Sequence, residues 1–292
     1  MDRRTGLRRL ALRITVIATL PLLACTSPGG SSTAESSVPY EQDINLGNFF
    51  SGIDPADATF VVYHPASHQF IRHNAARAQQ RFIPASTFKI PNSLIALETG
   101  VAENAEHIIP WDGATAAGFW SPNWSKDHTL RSAFKHSVYW YYQSLAHEIG
   151  AEGMQAYLDQ FHYGNGSTAG GLDQFWLHGG LRISADEQVQ FLARMYNGEL
   201  DISPQSVAIV KDLMILEDNP AYRLGGKTGT ADVTPTRELA WLVGYVERNN
   251  DVWFYALNME GEDVWERWGK PSARLALVRD LLQELNVIPS KS

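Results

Sequence analysis

The spacing of apolar residues changes along the chain, and each spacing predicts a different kind of element. Two short β-rich runs, Ala58–Tyr63 and Gln69–His73, flank His64-Pro65-Ala66-Ser67-His68, which reads as a hairpin loop. From Thr87 to Leu97 the apolar positions are Phe88, Ile90, Leu94, Ile95 and Leu97, a helical spacing. Pro91 is tolerable there only in a first turn, where its missing N–H would be unpaired anyway, so the helix is predicted to start near Ser86 or Thr87. The stretch from Leu130 to Tyr196 reads mostly as helices. Val138–Tyr142 with Leu145 and Ile149 forms one face, Met154–Phe161 another, and Ala185–Tyr196 a third that opens on Ser184 as N-cap with Glu187 at N3. Beyond Tyr222 the pattern changes to strands, Gly226–Thr230, Leu239–Val246 and Val252–Met259, with Asn249-Asn250-Asp251 as a turn, and an amphipathic helix from Ala273 to Leu285 closes the chain. Strands at both ends with helices between them predict an α+β fold. A central antiparallel sheet from both chain ends carries an inserted all-helical lobe at about residues 100–200, with any cleft at their junction.

Composition adds little to this picture until the N-terminus is considered. With 292 residues, 44% hydrophobic and 19% charged, the chain can bury a large core. A net charge of −8 without a basic stripe argues against nucleic acid as a partner. Arg3, Arg4, Arg8, Arg9 and Arg13 precede an apolar run from Ile14 to Ala24, the order of a secretory signal and too short for a full membrane span. Leu22-Leu23-Ala24-Cys25 resembles the lipobox of bacterial lipoproteins, which implies lipidation of Cys25; an ordinary signal peptide with a chance cysteine is the alternative. Cys25 is the only cysteine, so no intramolecular disulfide is possible. Residues 26–39 are rich in Ser, Gly and Pro. The expected division is therefore a signal peptide over 1–24, a flexible tether over 25–41 and a folded domain over 42–292, held on the periplasmic side of a bacterial membrane by a lipid anchor alone. Thr26 lacks the aspartate associated with inner-membrane retention, which favours the outer membrane. The Arg3-Arg4 pair leaves twin-arginine export as an alternative to the general route.

Three short motifs carry candidate chemistry. Ser86-Thr87-Phe88-Lys89 has the S-x-x-K spacing, in which one helical turn places a lysine amine beside a serine hydroxyl that needs a base to become nucleophilic. The spacing alone is weak, since Ser132-Ala133-Phe134-Lys135 repeats it. Position separates the two: Ser86 follows Pro84-Ala85 at a helix start, where free N–H groups can stabilise an oxyanion, whereas Ser132 lies inside a helical pattern. Lys227-Thr228-Gly229 in a strand offers a charge, a hydroxyl and a close approach to the backbone, and Ser137-Val138-Tyr139 offers another hydroxyl on the helical lobe. The dinucleotide-like Gly164-Asn165-Gly166-Ser167-Thr168-Ala169 neither follows a strand nor opens a helix. The nine histidines show no helical H-x-x-x-H, so no metal site is expected.

In order and spacing, Pro84-Ala85-Ser86-Thr87-Phe88-Lys89, Ser137-Val138, Tyr163-Gly164-Asn165, Phe175-Trp176-Leu177 and Lys227-Thr228-Gly229 resemble the class D (oxacillinase-type) serine β-lactamases over about residues 45–289. The resemblance implies the β-lactamase and penicillin-binding-protein transpeptidase fold, and hydrolysis of β-lactams with Ser86 as nucleophile. It implies that Lys89 is carboxylated by carbon dioxide or bicarbonate and serves as the base, with Trp176 holding the carbamate and no dissociable cofactor. Phe88, Tyr139 and Leu177 would wall the site. Ser86 and Thr230 would supply oxyanion N–H groups, Ser137 would relay a proton under the field of Lys227, and Thr228 with Arg274 would meet the substrate carboxylate, Arg267 being a competitor for Arg274. Tyr139 departs from the family's usual valine, which bears on water access to Lys89. Two rivals use the same serine: a cell-wall transpeptidase or carboxypeptidase, and a β-lactam sensor domain.

Overall fold

The computed structural model describes residues 40–113 and 123–290. The expected signal segment, Cys25 with its expected lipidation and nearly all of the expected tether lie outside the described residues.

In chain order the elements are β1 (Tyr40–Asp43), β2 (Ala58–His64), β3 (Gln69–His73), α1 (Ala75–Ala78), a 3-10 turn (Ala85–Phe88), α2 (Lys89–Glu98), β4 (Ile108–Ile109), β5 (His128–Thr129), α3 (Leu130–His136), α4 (Tyr139–Phe161), α5 (Ala185–Tyr196), α6 (Pro204–Leu213), β6 (Ile215–Asn219), β7 (Tyr222–Thr234), β8 (Arg237–Arg248), β9 (Asp251–Gly261), α7 (Val264–Trp268) and α8 (Pro271–Glu284). Seven strands form one sheet in the order β1-β3-β2-β9-β8-β7-β6, so strands from the two chain ends meet where β2 pairs with β9. The sheet is antiparallel as expected, except at one edge, where β1 runs parallel to β3.

Period-2 alternation on β8 explains how the sheet is covered on both sides. Leu239, Trp241, Val243 and Tyr245 face a core shared with α2 to α6, whereas Ala240, Leu242 and Val246 face a second core under α8. Both faces being dry, the strand reads as one unbroken apolar run. The turn between β8 and β9 is built on Asn249 and Asn250, both left-handed (φ 54° and 63°), the conformation that a tight two-residue hairpin demands. In α4 the two predicted helical faces meet at Gly150, whose non-helical φ of 77° and ψ of 165° break the helix between them. Ser184 and Glu187 form the reciprocal cap expected for α5.

Among the described residues seven elements went unpredicted, three of them, α1, β4 and β5, only two to four residues long. β1 and β6 are edge strands of four and five residues, with Tyr40-Glu41-Gln42-Asp43 exposed throughout and Glu217-Asp218-Asn219 interrupting any apolar alternation on β6. α6 did carry a legible signal, Ser203 as N-cap with Pro204 at N1. The short α7 has an N-cap, Asp263, that makes no side-chain capping bond. Conversely, residues 162–184, expected to be mostly helical, contain no helix.

Candidate active site

Ser86 sits in the 3-10 turn that runs directly into α2, and the residue before it is strained. Ala85 has a left-handed φ of 49°, a conformation costing about 1–2 kcal/mol for a residue with a Cβ. Its neighbours hold it there. The Ala85 N–H donates to Trp176 O at 3.0 Å, and Thr87 Oγ1, itself accepting from buried Gln188 Nε2 at 2.9 Å, donates to Pro84 O at 2.8 Å. Ala85→Gly is therefore expected to raise stability by about 1 kcal/mol, read as a higher unfolding midpoint, while turnover falls because Ser86 is less firmly aimed. An unchanged or lower midpoint would show that the strain is absent.

One turn on, Lys89 is wholly buried at 0% exposure, and its Nζ donates to Ser86 Oγ at 3.1 Å. Burial pushes its pKa down to about 7, which makes the neutral amine accessible near physiological pH. The Tyr142 ring lies 5.0 Å from Nζ, and Ser93 Oγ, which donates to Lys89 O at 2.7 Å, is 2.9 Å from Tyr142 Oη. Neither Ser93 nor Tyr142 was singled out by the sequence, although Tyr142 follows Tyr139 by three residues, the spacing of one helix face.

Ser137 ends α3 with a left-handed φ of 56°, which turns its hydroxyl toward β7, and Lys227 Nζ donates to it at 3.0 Å and to Thr228 O at 3.1 Å. Lys227 is buried, and burial, together with repulsion from Lys89 and Arg274, holds its pKa well below the ordinary lysine value. β6 pairs with β7 only as far as Gly225, so from Lys227 onward the second edge of β7 has no strand partner among the described residues. Gly229 brings that edge against the Ser86 turn: a Cβ there would stand 2.9 Å from Pro84 O and 3.1 Å from Thr87 Cγ2. The glycine of the motif is thus a packing requirement.

Arg274 reaches the same edge from α8, 2% exposed, with Nη1 donating to Gly229 O at 2.6 Å, Trp241 O at 3.0 Å and Thr230 Oγ1 at 3.1 Å, and Nη2 to Gly269 O at 2.9 Å. Burial lowers its pKa to about 10, so the charge persists at neutral pH. Arg267, its competitor, is exposed, and its guanidinium fills the space a side chain on Gly52 would need.

Trp176 is fully buried and stacks on Phe88 at 5.2 Å, the residue between Ser86 and Lys89's turn, with Phe175 edge-on at 4.9 Å. Among the described residues no acceptor pairs with its indole N–H, a buried donor without a partner. An anionic group on Lys89 would suit this chemistry: a desolvated amine able to lose its proton, and an indole donor left free. Tyr139 and Leu177 are half-buried at the edge of the core, and Trp124 meets the Tyr139 ring edge-on at 5.1 Å with its own N–H given to His136 O. The duplicate pair separates as expected: Ser132 caps α3 through Thr129, and Lys135 is exposed.

The structure therefore joins Ser86 to Lys89, Ser137 to Lys227, and Gly229 and Thr230 to Arg274. A family model described as the penicillin binding protein transpeptidase domain matches residues 56–283. The chain is 41% identical over 230 residues to β-lactamase OXA-48 of Klebsiella pneumoniae, covering 78% of this chain and 83% of that protein. Among solved structures, the class D β-lactamase YbXI from Nostoc superposes with a TM-score of 0.75 at 40% identity, over 83% of this chain and 99% of that one. The C-terminal domain of the BlaR penicillin receptor of Bacillus licheniformis superposes with a TM-score of 0.77 at 30% identity, over 86% of this chain and 98% of that domain. This chain belongs to the class D β-lactamases.

Proposed function

We propose that this protein hydrolyses β-lactams through an acyl-enzyme on Ser86, with carboxylated Lys89 as the base. The observation that carries the reading is the wholly buried Lys89 amine, 3.1 Å from Ser86 Oγ. In the first step Lys89, in its carboxylated form, takes the Ser86 proton as Oγ attacks the lactam carbonyl. The N–H groups of Ser86 and Thr230 stabilise the oxyanion, the second being on the open edge that Gly229 presses toward the turn. Ser137 passes a proton to the leaving nitrogen, with Lys227 at 3.0 Å tuning its hydroxyl. Thr228 and Arg274 receive the substrate carboxylate, and Tyr139 and Leu177 wall the cleft. Lys89 then draws a proton from water, which attacks the ester and restores the serine.

The assay is the purified protein with a chromogenic cephalosporin, with and without bicarbonate. Multiple turnovers that increase with bicarbonate support the reading. Stoichiometric acylation without turnover would favour the second reading, a β-lactam sensor, which the likeness to the BlaR receptor domain keeps in view.

Because the carboxylation consumes the neutral amine, the pKa of about 7 fixes a pH dependence. At constant dissolved carbon dioxide, the reactivation rate of protein stripped of the modification is expected to rise about tenfold per pH unit below 7 and to level off above it. A flat rate between pH 5 and 8, measured by stopped-flow recovery of turnover, would contradict the assignment.

For location we propose export by the signal over 1–24, lipidation at Cys25, a tether to residue 41, and a folded domain from residue 42 held outside the cytoplasmic membrane, with sorting to the outer membrane. Among the described residues no helix is long and apolar enough to cross a membrane. Labelled palmitate should enter the protein and be lost in Cys25→Ser, which should also release it from the membrane fraction.

A further inference from the structure

Lys89 and Lys227 are two buried amines close enough to repel each other, and neither has a carboxylate partner among the described residues. One group on the Lys89 side acts in the opposite sense. The face of the Tyr142 ring is 5.0 Å from Lys89 Nζ, within the range where the negative face of an aromatic ring attracts a cation. That ring is fixed. Tyr142 is wholly buried on α4, its hydroxyl pairs with Ser93 Oγ at 2.9 Å, its carbonyl accepts from Asn92 Nδ2 at 3.3 Å, and Ser93 Oγ returns to Lys89 O at 2.7 Å. Lysine backbone, serine hydroxyl, phenol and ring face thus make a closed circuit around the amine. The ring can neither turn its edge to Lys89 nor withdraw without breaking hydrogen bonds that water does not reach.

A ring face favours an ammonium and disfavours an anion at the same place. Trp176 acts the other way, through an unpaired indole N–H suited to an anion. We infer that Tyr142 is a positioning residue for Lys89 that limits how tightly the carboxylated state is held, so that the carbon dioxide requirement of the enzyme is set by opposition between the Tyr142 face and the Trp176 N–H. The inference rests on Lys89 being carboxylated. Its consequence is regulatory: the ring keeps the uncarboxylated lysine a stable resident of the site, so the modification stays reversible and activity follows the supply of carbon dioxide.

The test varies the π density of the ring at constant shape. Tyr142→Phe serves as the starting point, and 4-fluoro- and 3,4,5-trifluorophenylalanine are then introduced at position 142 of the full chain. Half-saturating bicarbonate is measured from turnover, and the carbamate itself from its 13C signal with labelled bicarbonate. Stepwise fluorination should lower half-saturating bicarbonate, by about fivefold in all, while kcat at saturating bicarbonate does not track the fluorine number. If half-saturation is flat or rises along the series, the ring has no such role. Failure of the underlying reading looks different: protein with Tyr142 intact would then show neither a 13C carbamate signal nor any bicarbonate dependence.

Discussion

Lys89→Ala is expected to fold, to be acylated, and to lose turnover by about a thousandfold or more, the scale at which a positioned general base contributes. The acyl-enzyme should accumulate and be visible by mass spectrometry as a single adduct on Ser86, because losing the base slows deacylation, where Lys89 draws the proton from the attacking water, more than it slows acylation. Folding should survive for a reason that can be measured separately. Lys89 is buried with its pKa lowered from 10.5 to about 7, so the unfolded chain binds more protons than the folded one across that interval. Uncarboxylated protein with Lys89 in place must therefore lose stability as pH falls from above 10 to about 7, after which the deficit stays constant. The alanine variant has no such group. Its stability relative to uncarboxylated parent should rise as pH falls through the same window, apart from a constant loss for the cavity left by the side chain. Normal hydrolysis by Lys89→Ala would remove Lys89 as the base, and a stability difference independent of pH would show that the amine is not desolvated as described.

What the sequence could and could not foretell follows from where the information resides. Helix α5 and the β8–β9 turn were legible because their signals are local: Ser184 and Glu187 bond each other across one turn, and Asn249 and Asn250 tolerate left-handed backbone. The Ser86–Lys89 pair is equally local, a single turn apart. Lys227 was legible only through its motif, since its bond to Ser137 spans 90 residues of chain. Ser93 and Tyr142 were missed because nothing within a few residues marks them; their importance is that α2 and α4 pack face to face and bring a hydroxyl, a phenol and the Lys89 carbonyl together. Edge strands β1 and β6 were missed for the complementary reason. A strand with one partner and a wet face need not carry an apolar alternation, and these two do not. The strain at Ala85 is the sharpest case, because alanine, unlike glycine, asparagine or aspartate, gives no signal of a left-handed backbone.

Trp176→Phe should separate the two things that the indole does. As a ring it stacks on Phe88 at 5.2 Å and meets Phe175 edge-on at 4.9 Å, and phenylalanine keeps both contacts in reduced form. As a donor it carries a buried N–H with no acceptor among the described residues, a state that costs about 1–3 kcal/mol. Removing the donor relieves that cost, which offsets much of the packing lost with the larger ring, so without bicarbonate the variant should lie within about 1 kcal/mol of the parent. With bicarbonate the two should diverge. A charge-assisted hydrogen bond contributes about 1.5–3 kcal/mol, which converts to roughly a 10- to 150-fold rise in the bicarbonate needed for half-maximal turnover. By the same linkage, bicarbonate should raise the unfolding midpoint of the parent and leave that of the variant almost unmoved at equal concentration. A variant with the parent's bicarbonate requirement would mean that the indole N–H does not hold the group on Lys89. A variant that is several kcal/mol less stable without bicarbonate would mean that Trp176 is there for its packing. The predicted pattern, near-equal stability without bicarbonate and unequal stability with it, can arise only if the N–H is held in readiness for an anion that the site itself generates.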